Sequence, residues 1–259
     1  MNAFDYDVVV AVGGDGTINE TLDGVLKAGR TDLRMGVLYS GTSPDFCRFH
    51  GIPTRPPDAV KALLSARSQK VDVARIEFAG SSGNRETAHF GCGSNIGLGA
   101  SIARRSNRIR RFTGDAAGTC AAAIYSIATV PSADLEMTLD GSTCRLQAVN
   151  NLSILKSPFI ASGLKLNINL KPDDGKLVVF AVYGKAGWKV LSMLRGFYSG
   201  NAAMRDDVFI RECSRISINS KGKAEVEFDG DPRGFLPVEI HIMPGALNLI
   251  GAGACNERI

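Results

Sequence analysis

The stretch VVVAVGGDGTINETLDGVL, residues 8–26, restricts the fold more than any other part of this chain. Val8–Val12 is an unbroken apolar run, the pattern of a parallel strand buried on both faces. Ile18, Leu22, Val25 and Leu26 then recur at i, i+4, i+7 and i+8, which places them on one side of a helix. Gly29 closes that helix. Between strand and helix lie Gly13-Gly14-Asp15-Gly16-Thr17, too short for anything but a tight turn.

Met35–Tyr39 reads as a second buried strand. It is followed by the loop SGTSPDF and a helical pattern over 58–66. Residues 7–66 therefore form strand-helix-strand-helix, one part of an α/β domain. From Val71 the period changes to two: KVDVARIEF, LEMTLDGSTCRLQAV and RISINSKGKAEVEFDGD all alternate. Asp140-Gly141 is a hairpin turn signal between Leu135–Leu139 and Cys144–Ala148. Ile216 and Ile218 are expected to face Ala224, Val226 and Phe228 across a second hairpin. The expected fold class is α/β plus β: an α/β domain, then an antiparallel β domain interrupted by helices near 96–105, 115–130 and 187–196.

With 44% hydrophobic and 22% charged residues, neither disorder nor a membrane-embedded bundle is expected. The window 115–130 is apolar but too short to span a bilayer. The six cysteines lack metal-ligand spacing and read as reduced thiols of a cytosolic protein. The start MNAFDYDVVV has no basic, apolar leader. A net charge of +4 fits an anionic ligand or lipid surface without requiring one.

A glycine turn at a helix N-terminus suits phosphate, because backbone N–H groups converge there and the helix dipole adds positive potential. Asp15 would repel a bare phosphate. It fits if it meets a metal ion or takes a hydroxyl proton, or if it merely caps the helix. The turn is neither GxxxxGK[ST] nor GxGxxG.

GGDGTINE resembles the nucleotide-binding signature of the diacylglycerol kinase catalytic domain family, which includes bacterial lipid kinases and sphingosine kinases. A shorter GGDGT also occurs in NAD kinases and 6-phosphofructokinases, but three later stretches favour the lipid kinases. GVLYSGTSPDFCRFHGIP (36–53), PDDGKLVVF (172–180) and EVEFDGDPRGFLPVEIHIMPGALNLI (225–250) resemble that family's later segments in order and spacing.

The resemblance implies an α/β ATP-binding domain over 1–70, with about 243–259 returning to it, and a β-sandwich lipid-substrate domain over 71–242. Gly13, Gly14, Asp15, Gly16, Thr17, Ile18 and Asn19 would line the ATP phosphate site, with Thr42 beside them. Asp231 stands where the family carries the Glu assigned as general base, and Asp15 is the reserve for activating the hydroxyl. Asp174 matches a structural Mg2+ ligand, and Lys171 and Lys176 would add backbone carbonyls, an oxygen-rich set suited to a hard cation. The implied cofactors are ATP and Mg2+. The implied partner is a lipid at the membrane surface and not nucleic acid. A homodimer stays open, and the location would be cytoplasmic with contact at the inner face of the membrane.

Three departures accompany the resemblance. Asp231 is one methylene shorter than Glu, which shortens its reach by roughly 1.5 Å. Pro44 replaces an Asn, giving up an amide and an N–H. The family also carries about two β-α units before this glycine strand, on the order of 60 residues. Either the native start lies upstream, or the domain is short with an exposed sheet edge. ARRSNRIRRF (103–112) is either a membrane-facing basic patch or a solvated helix end. Trp188 is expected in the core. His50, His89 and His241 are given no catalytic part. The expected activity is transfer of the ATP γ-phosphate to the hydroxyl of a diacylglycerol-like lipid. The alternatives are a non-catalytic nucleotide- or lipid-binding relative and, less favoured, an NAD kinase.

Overall fold

A computed structural model describes residues 6–65, 67–113, 125–126, 129–161, 164–184, 207–222 and 224–253. In chain order the elements are β1 (Val8–Gly13), α1 (Asp15–Lys27), β2 (Arg34–Tyr39), α2 (Asp45–His50), α3 (Pro56–Leu64), β3 (Ser68–Ala79), β4 (Arg85–Phe90), β5 (Gly93–Gly97) and α4 (Leu98–Thr113). They continue with β6 (Ala133–Leu139), β7 (Ser142–Leu155), β8 (Phe159–Ala161), β9 (Leu164–Lys165), β10 (Leu177–Tyr183), β11 (Val208–Cys213), β12 (Arg215–Ser220), β13 (Glu225–Phe228) and β14 (Asp231–Ile250). The class is mixed α/β with a large antiparallel β-rich part.

The opening strand-helix unit forms as its apolar spacing dictates. Ile18, Leu22 and Val25 of α1 are buried against Ala11, Met35 and Val37 of the two parallel strands. Each such aliphatic side chain contributes about 2 kcal/mol by leaving water. Lys27 ends α1, and Gly29 at φ 70° turns the chain out of it. β1 differs from expectation in its surroundings. Its Val9 and Ala11 side faces α1, whereas Val10 and Val12 are exposed, Val12 by 62%. The described helix on that side, α3, lies over Gly36 of β2 and leaves Val10 and Val12 of β1 open, so the run is fully buried on one face only. β1 is also an edge strand among the described residues, paired with β2 alone.

Strand β14 is the spine of the sheet. Its first part pairs with β13, its middle with β12 and β3, and its last residues run parallel to β2, with Leu249 opposite Met35. Two cores form along it. One packs α1 and α2 with β1, β2 and the ends Val71, Val73, Leu247 and Leu249. The other fills the antiparallel part with Ile76, Phe90, Met137, Leu152, Val179, Ile216, Phe228, Ile240 and their neighbours.

The Asp140-Gly141 hairpin is present, with both residues at positive φ (45° and 86°) as its turn requires. The second expected hairpin is not. β12 pairs with β6 and β14, while β13 pairs with β5 and β14. Alternation reported the buried face of Ile216, Ile218, Val226 and Phe228 correctly, but it carries no information on which strand lies alongside. The helix expected near 96–105 is α4, which begins at Leu98 after β5. Helical residues occur at 125, 126 and 129, while most of 115–130, all of 187–196 and Trp188 lie outside the described residues.

Candidate active site

The site is built where the β1–α1 and β2–α2 turns meet the β13–β14 turn. The first two approach backbone to backbone. A Cβ on Gly41 would lie 2.7 Å from the Cα of Gly14, and one on Gly13 would lie 2.5 Å from the Thr17 hydroxyl oxygen. Gly16 differs, because a Cβ there meets nothing within 4 Å. Its open side faces away from the protein's own atoms. Gly14 is the N-cap of α1 and no side chain caps that end. The first-turn N–H groups of a 13-residue helix are therefore presented without an intrahelical partner. Asp15 lies inside the first turn and does not cap it. Thr17 and Thr42 are both exposed beside this opening.

Asp15 is half-buried, and its Oδ1 has no hydrogen-bond partner. Burial, followed by the charges of Asp45 and Asp229, pushes its carboxyl up to about 7, although the N–H groups of Asp45 and Phe46 oppose this. Asp45 is buried at the start of α2 and lies 3.4 Å from the Arg48 guanidinium. Pro44 is the N-cap of that helix, and its carbonyl accepts the Arg48 N–H at 2.8 Å.

Asp229 was not among the residues singled out from the sequence. It occupies a left-handed conformation, φ 46°, which short polar side chains tolerate best. Its carboxylate accepts the N–H groups of Gly91 (2.9 Å), Cys92 (3.0 Å) and Gly93 (2.9 Å). With its amide nitrogen turned toward the acceptors, Asn19 donates to Asp229 Oδ2 at 2.8 Å and to the His89 carbonyl at 3.2 Å. Burial raises the Asp229 carboxyl, and the three N–H groups pull it back. Phe228, held between Phe78 and Phe90, anchors the turn that presents it. The turn thus joins the two cores through Asn19 of α1.

Asp231, two residues on, is placed differently. Its side chain is 52% exposed and accepts from Arg233 Nε at 3.1 Å. After burial, the charges that most raise the Asp15 carboxyl are those of Asp45 and Asp229. A second carboxyl below the turn, Glu227, is buried and raised to about 7 by burial, against hydrogen bonds from Asn95 Nδ2 (2.7 Å) and the Gly230 N–H (2.5 Å). Asn95 in turn accepts from Ser153 Oγ at 2.6 Å. His89 is structural: its Nδ1 lies 2.9 Å from Asp23 Oδ1, fastening α1 to β4. Ile18 is in the core and does not line the opening.

The expected metal site has a different occupant. Asp174 and the Lys171 carbonyl do converge, but on the ammonium of Lys156, 2.7 Å from each. What Lys176 brings to Asp174 is its N–H, at 3.1 Å, and its own ammonium pairs with Glu212 at 2.6 Å. The residues present do not fit a metal ion there, because a cation already fills the place. No cluster of three or more metal-ligating side chains occurs among the described residues. In the arginine-rich stretch, Arg104 is bound to Glu225, while Arg105 bonds Ser101 Oγ at 3.1 Å and lies 4.3 Å above the Tyr125 ring. These two are tied to the protein.

An uncapped helix end and a carboxyl raised by burial thus lie where the two cores meet, and comparison with known families gives the class, a kinase-like enzyme. The diacylglycerol kinase catalytic domain family matches residues 1–76, and the YegS C-terminal NAD kinase beta sandwich-like domain matches residues 94–251, more than half of the chain. The chain belongs to this two-domain, diacylglycerol kinase-like family. It is 24% identical to the Staphylococcus aureus (strain MSSA476) protein named "Putative lipid kinase SAS0691", over 96% of this chain and 78% of that one. In fold it is similar to a Bacillus anthracis str. Sterne protein described as a diacylglycerol kinase (TM-score 0.69, 21% identity, 98% of this chain, 79% of the other). It is also similar in fold to yeast NADH kinase (TM-score 0.56, 12% identity, 94% of this chain, 60% of the other).

Proposed function

We propose that this chain is a lipid kinase that transfers the γ-phosphate of ATP to the hydroxyl of a diacylglycerol-like lipid. The observation that carries the reading is Asp15, a carboxyl at about 7 with an unpartnered buried oxygen, on the uncapped N-terminus of α1. A group with that pKa accepts a proton at neutral pH while remaining partly ionised, which is the requirement for a general base. The lipid kinase and diacylglycerol kinase names of the relatives support lipid as acceptor.

In this account Gly13, Gly14, Gly16, Thr17 and Thr42 line the place of the triphosphate, and the α1 N–H groups meet its charge. Mg2+ enters as part of the MgATP substrate. Asp15 takes the proton of the lipid hydroxyl. The freed oxygen forms a bond to the γ-phosphorus, whose bond to the ADP oxygen breaks. Catalysis of this kind rests mostly on positioning, and Asn19 and Asp229 hold α1 against the second core for that purpose. Asp231 is the alternative proton acceptor, on the rim. No helix among the described residues is long and apolar enough to cross a membrane. The lipid would be met at the inner face of the membrane by a cytoplasmic protein.

The test is transfer of label from γ-labelled MgATP to diacylglycerol in mixed micelles, with NAD as a competing acceptor. Label in the lipid fraction that NAD does not displace supports the proposal. Label in NAD would assign the chain to the other substrate class. ATP binding without any transfer would favour the non-catalytic alternative.

A further inference from the structure

Lys156 directly follows β7, and its side chain is completely buried. Its ammonium donates to Asp174 Oδ1 and to the Lys171 carbonyl, each at 2.7 Å, and forms an ion pair with Asp72 Oδ2 at 3.1 Å. Asp72 is nearly as buried, at 1%, and takes two further N–H groups, from Gly175 (2.7 Å) and Gly245 (2.9 Å). Asp174 takes the N–H groups of Lys171 (2.8 Å) and Lys176 (3.1 Å). Two carboxylates and one carbonyl thus converge on a single point of positive charge, where the 171–176 loop, β3, β14 and the end of β7 come together.

That donor set is the kind a hard divalent cation takes: carboxylate oxygens plus a loop carbonyl. The distances are those of charge-assisted hydrogen bonds, not the roughly 2.1 Å of Mg2+–oxygen contacts. The carboxyl of Asp174 responds accordingly. Burial works against its charge, yet the Lys156 ammonium and the two N–H groups hold it below its ordinary value.

We propose that Lys156 is a built-in cation that does at Asp72 and Asp174 what a bound divalent ion would do, so that this part of the chain folds and stays folded without metal. The carboxylates keep the charge partner they need in a buried place, and the 171–176 loop is fastened to β3 and β14 independently of divalent ion concentration. The inference does not rest on the reaction proposed above. It concerns a site distinct from the α1 opening, and it survives if the acceptor is not a lipid.

The experiment uses the nucleotide-free protein. Thermal unfolding is followed in EDTA and in millimolar Mn2+, with bound Mn2+ counted by electron paramagnetic resonance. The wild type is expected to unfold at the same temperature in both and to hold no Mn2+ that Asp174→Asn removes. Lys156→Ala empties the position. It is expected to lose several degrees in EDTA, to regain most of them in Mn2+ and to bind one Mn2+. Lys156→Met, which fills the space with an uncharged chain, is expected to lose stability without regaining it. Loss of wild-type stability on chelation, or wild-type Mn2+ binding abolished by Asp174→Asn, would overturn the proposal. So would a folded Lys156→Ala that gains nothing from Mn2+. Should Lys156→Ala be recovered only unfolded, the wild-type and Asp174→Asn measurements decide alone.

Discussion

Gly14 and Gly41 touch backbone to backbone: a Cβ added to Gly41 would come within 2.7 Å of the Gly14 Cα and 2.6 Å of the Tyr39 hydroxyl. The turn that opens α1 is thereby positioned by the turn that follows β2. The tyrosine ring could swing aside, but the Gly14 backbone cannot yield without moving the N-terminus of α1. Gly41→Ala is therefore expected to cost about 1–3 kcal/mol in urea unfolding and at least tenfold in kcat/KM for ATP.

Gly16 supplies the contrasting case. A methyl group there meets nothing in the protein, and in a helix alanine is favoured over glycine by about 0.5–1 kcal/mol. Gly16→Ala is expected to raise Tm slightly while KM for ATP rises. An unchanged KM would mean that no ligand approaches the open side of the first turn.

The pH dependence of stability isolates Asp15. Its folded pKa, about 7, lies above the ordinary 3.8, so the folded state holds this proton more tightly than the unfolded chain. Stability is lost as pH rises from about 3.8, and the loss is complete only above about 7. Asp15→Asn removes the ionisable group. It is expected to raise Tm relative to wild type at pH 8, by less at pH 5 and hardly at all at pH 3.5. A gain that is the same at all three pH values would contradict the raised pKa.

The two carboxylates of the β13–β14 turn should separate cleanly. Asp229→Ala strands the N–H groups of Gly91, Cys92 and Gly93 and places alanine at φ 46°, for an expected loss of roughly 2–4 kcal/mol at pH 7. Asp231→Asn alters an exposed side chain paired with Arg233 and should stay within about 0.5 kcal/mol of wild type. Urea unfolding of both variants gives the comparison.

The strand-turn-helix unit was legible because Ile18, Leu22 and Val25 obey one local period and bury one face. The Asp140-Gly141 hairpin was legible for the same reason, being closed by adjacent residues. Pairing was less so: Val226 lies opposite Ile96 and Gly234, not opposite Ile218, and nothing in a strand's alternation names its neighbour. Within the site, the family resemblance points to Asp231 at the place of the Asp-Gly-Glu glutamate, whereas the structure sets Asp229 against Asn19. The available signal was conformational, since a residue before Gly230 that must adopt positive φ suits Asp. Of the Lys156 cluster, Asp174 stands in the PDDGK stretch that the resemblance marked, with Lys171 just before it, but Lys156 itself left no signal. Its partners are 84 and 18 residues away, at Asp72 and Asp174, and only the folded chain brings them together. Val12 shows the opposite limit: an apolar residue reads as buried whether or not an element covers it.

The central claim is that Asp15 serves phosphate transfer to a lipid hydroxyl, and its most direct measurement is single-turnover transfer from labelled MgATP to diacylglycerol. Wild type, Asp15→Asn and Asp231→Asn would be compared across pH 5.5–8.5, with circular dichroism recorded on each sample. The account predicts that wild-type transfer rises through about pH 7 as Asp15 ionises. It also predicts that Asp15→Asn loses at least a hundredfold with its fold intact, in the range expected for removal of a general base, and that Asp231→Asn retains most of the rate. Near-wild-type transfer by Asp15→Asn would contradict it.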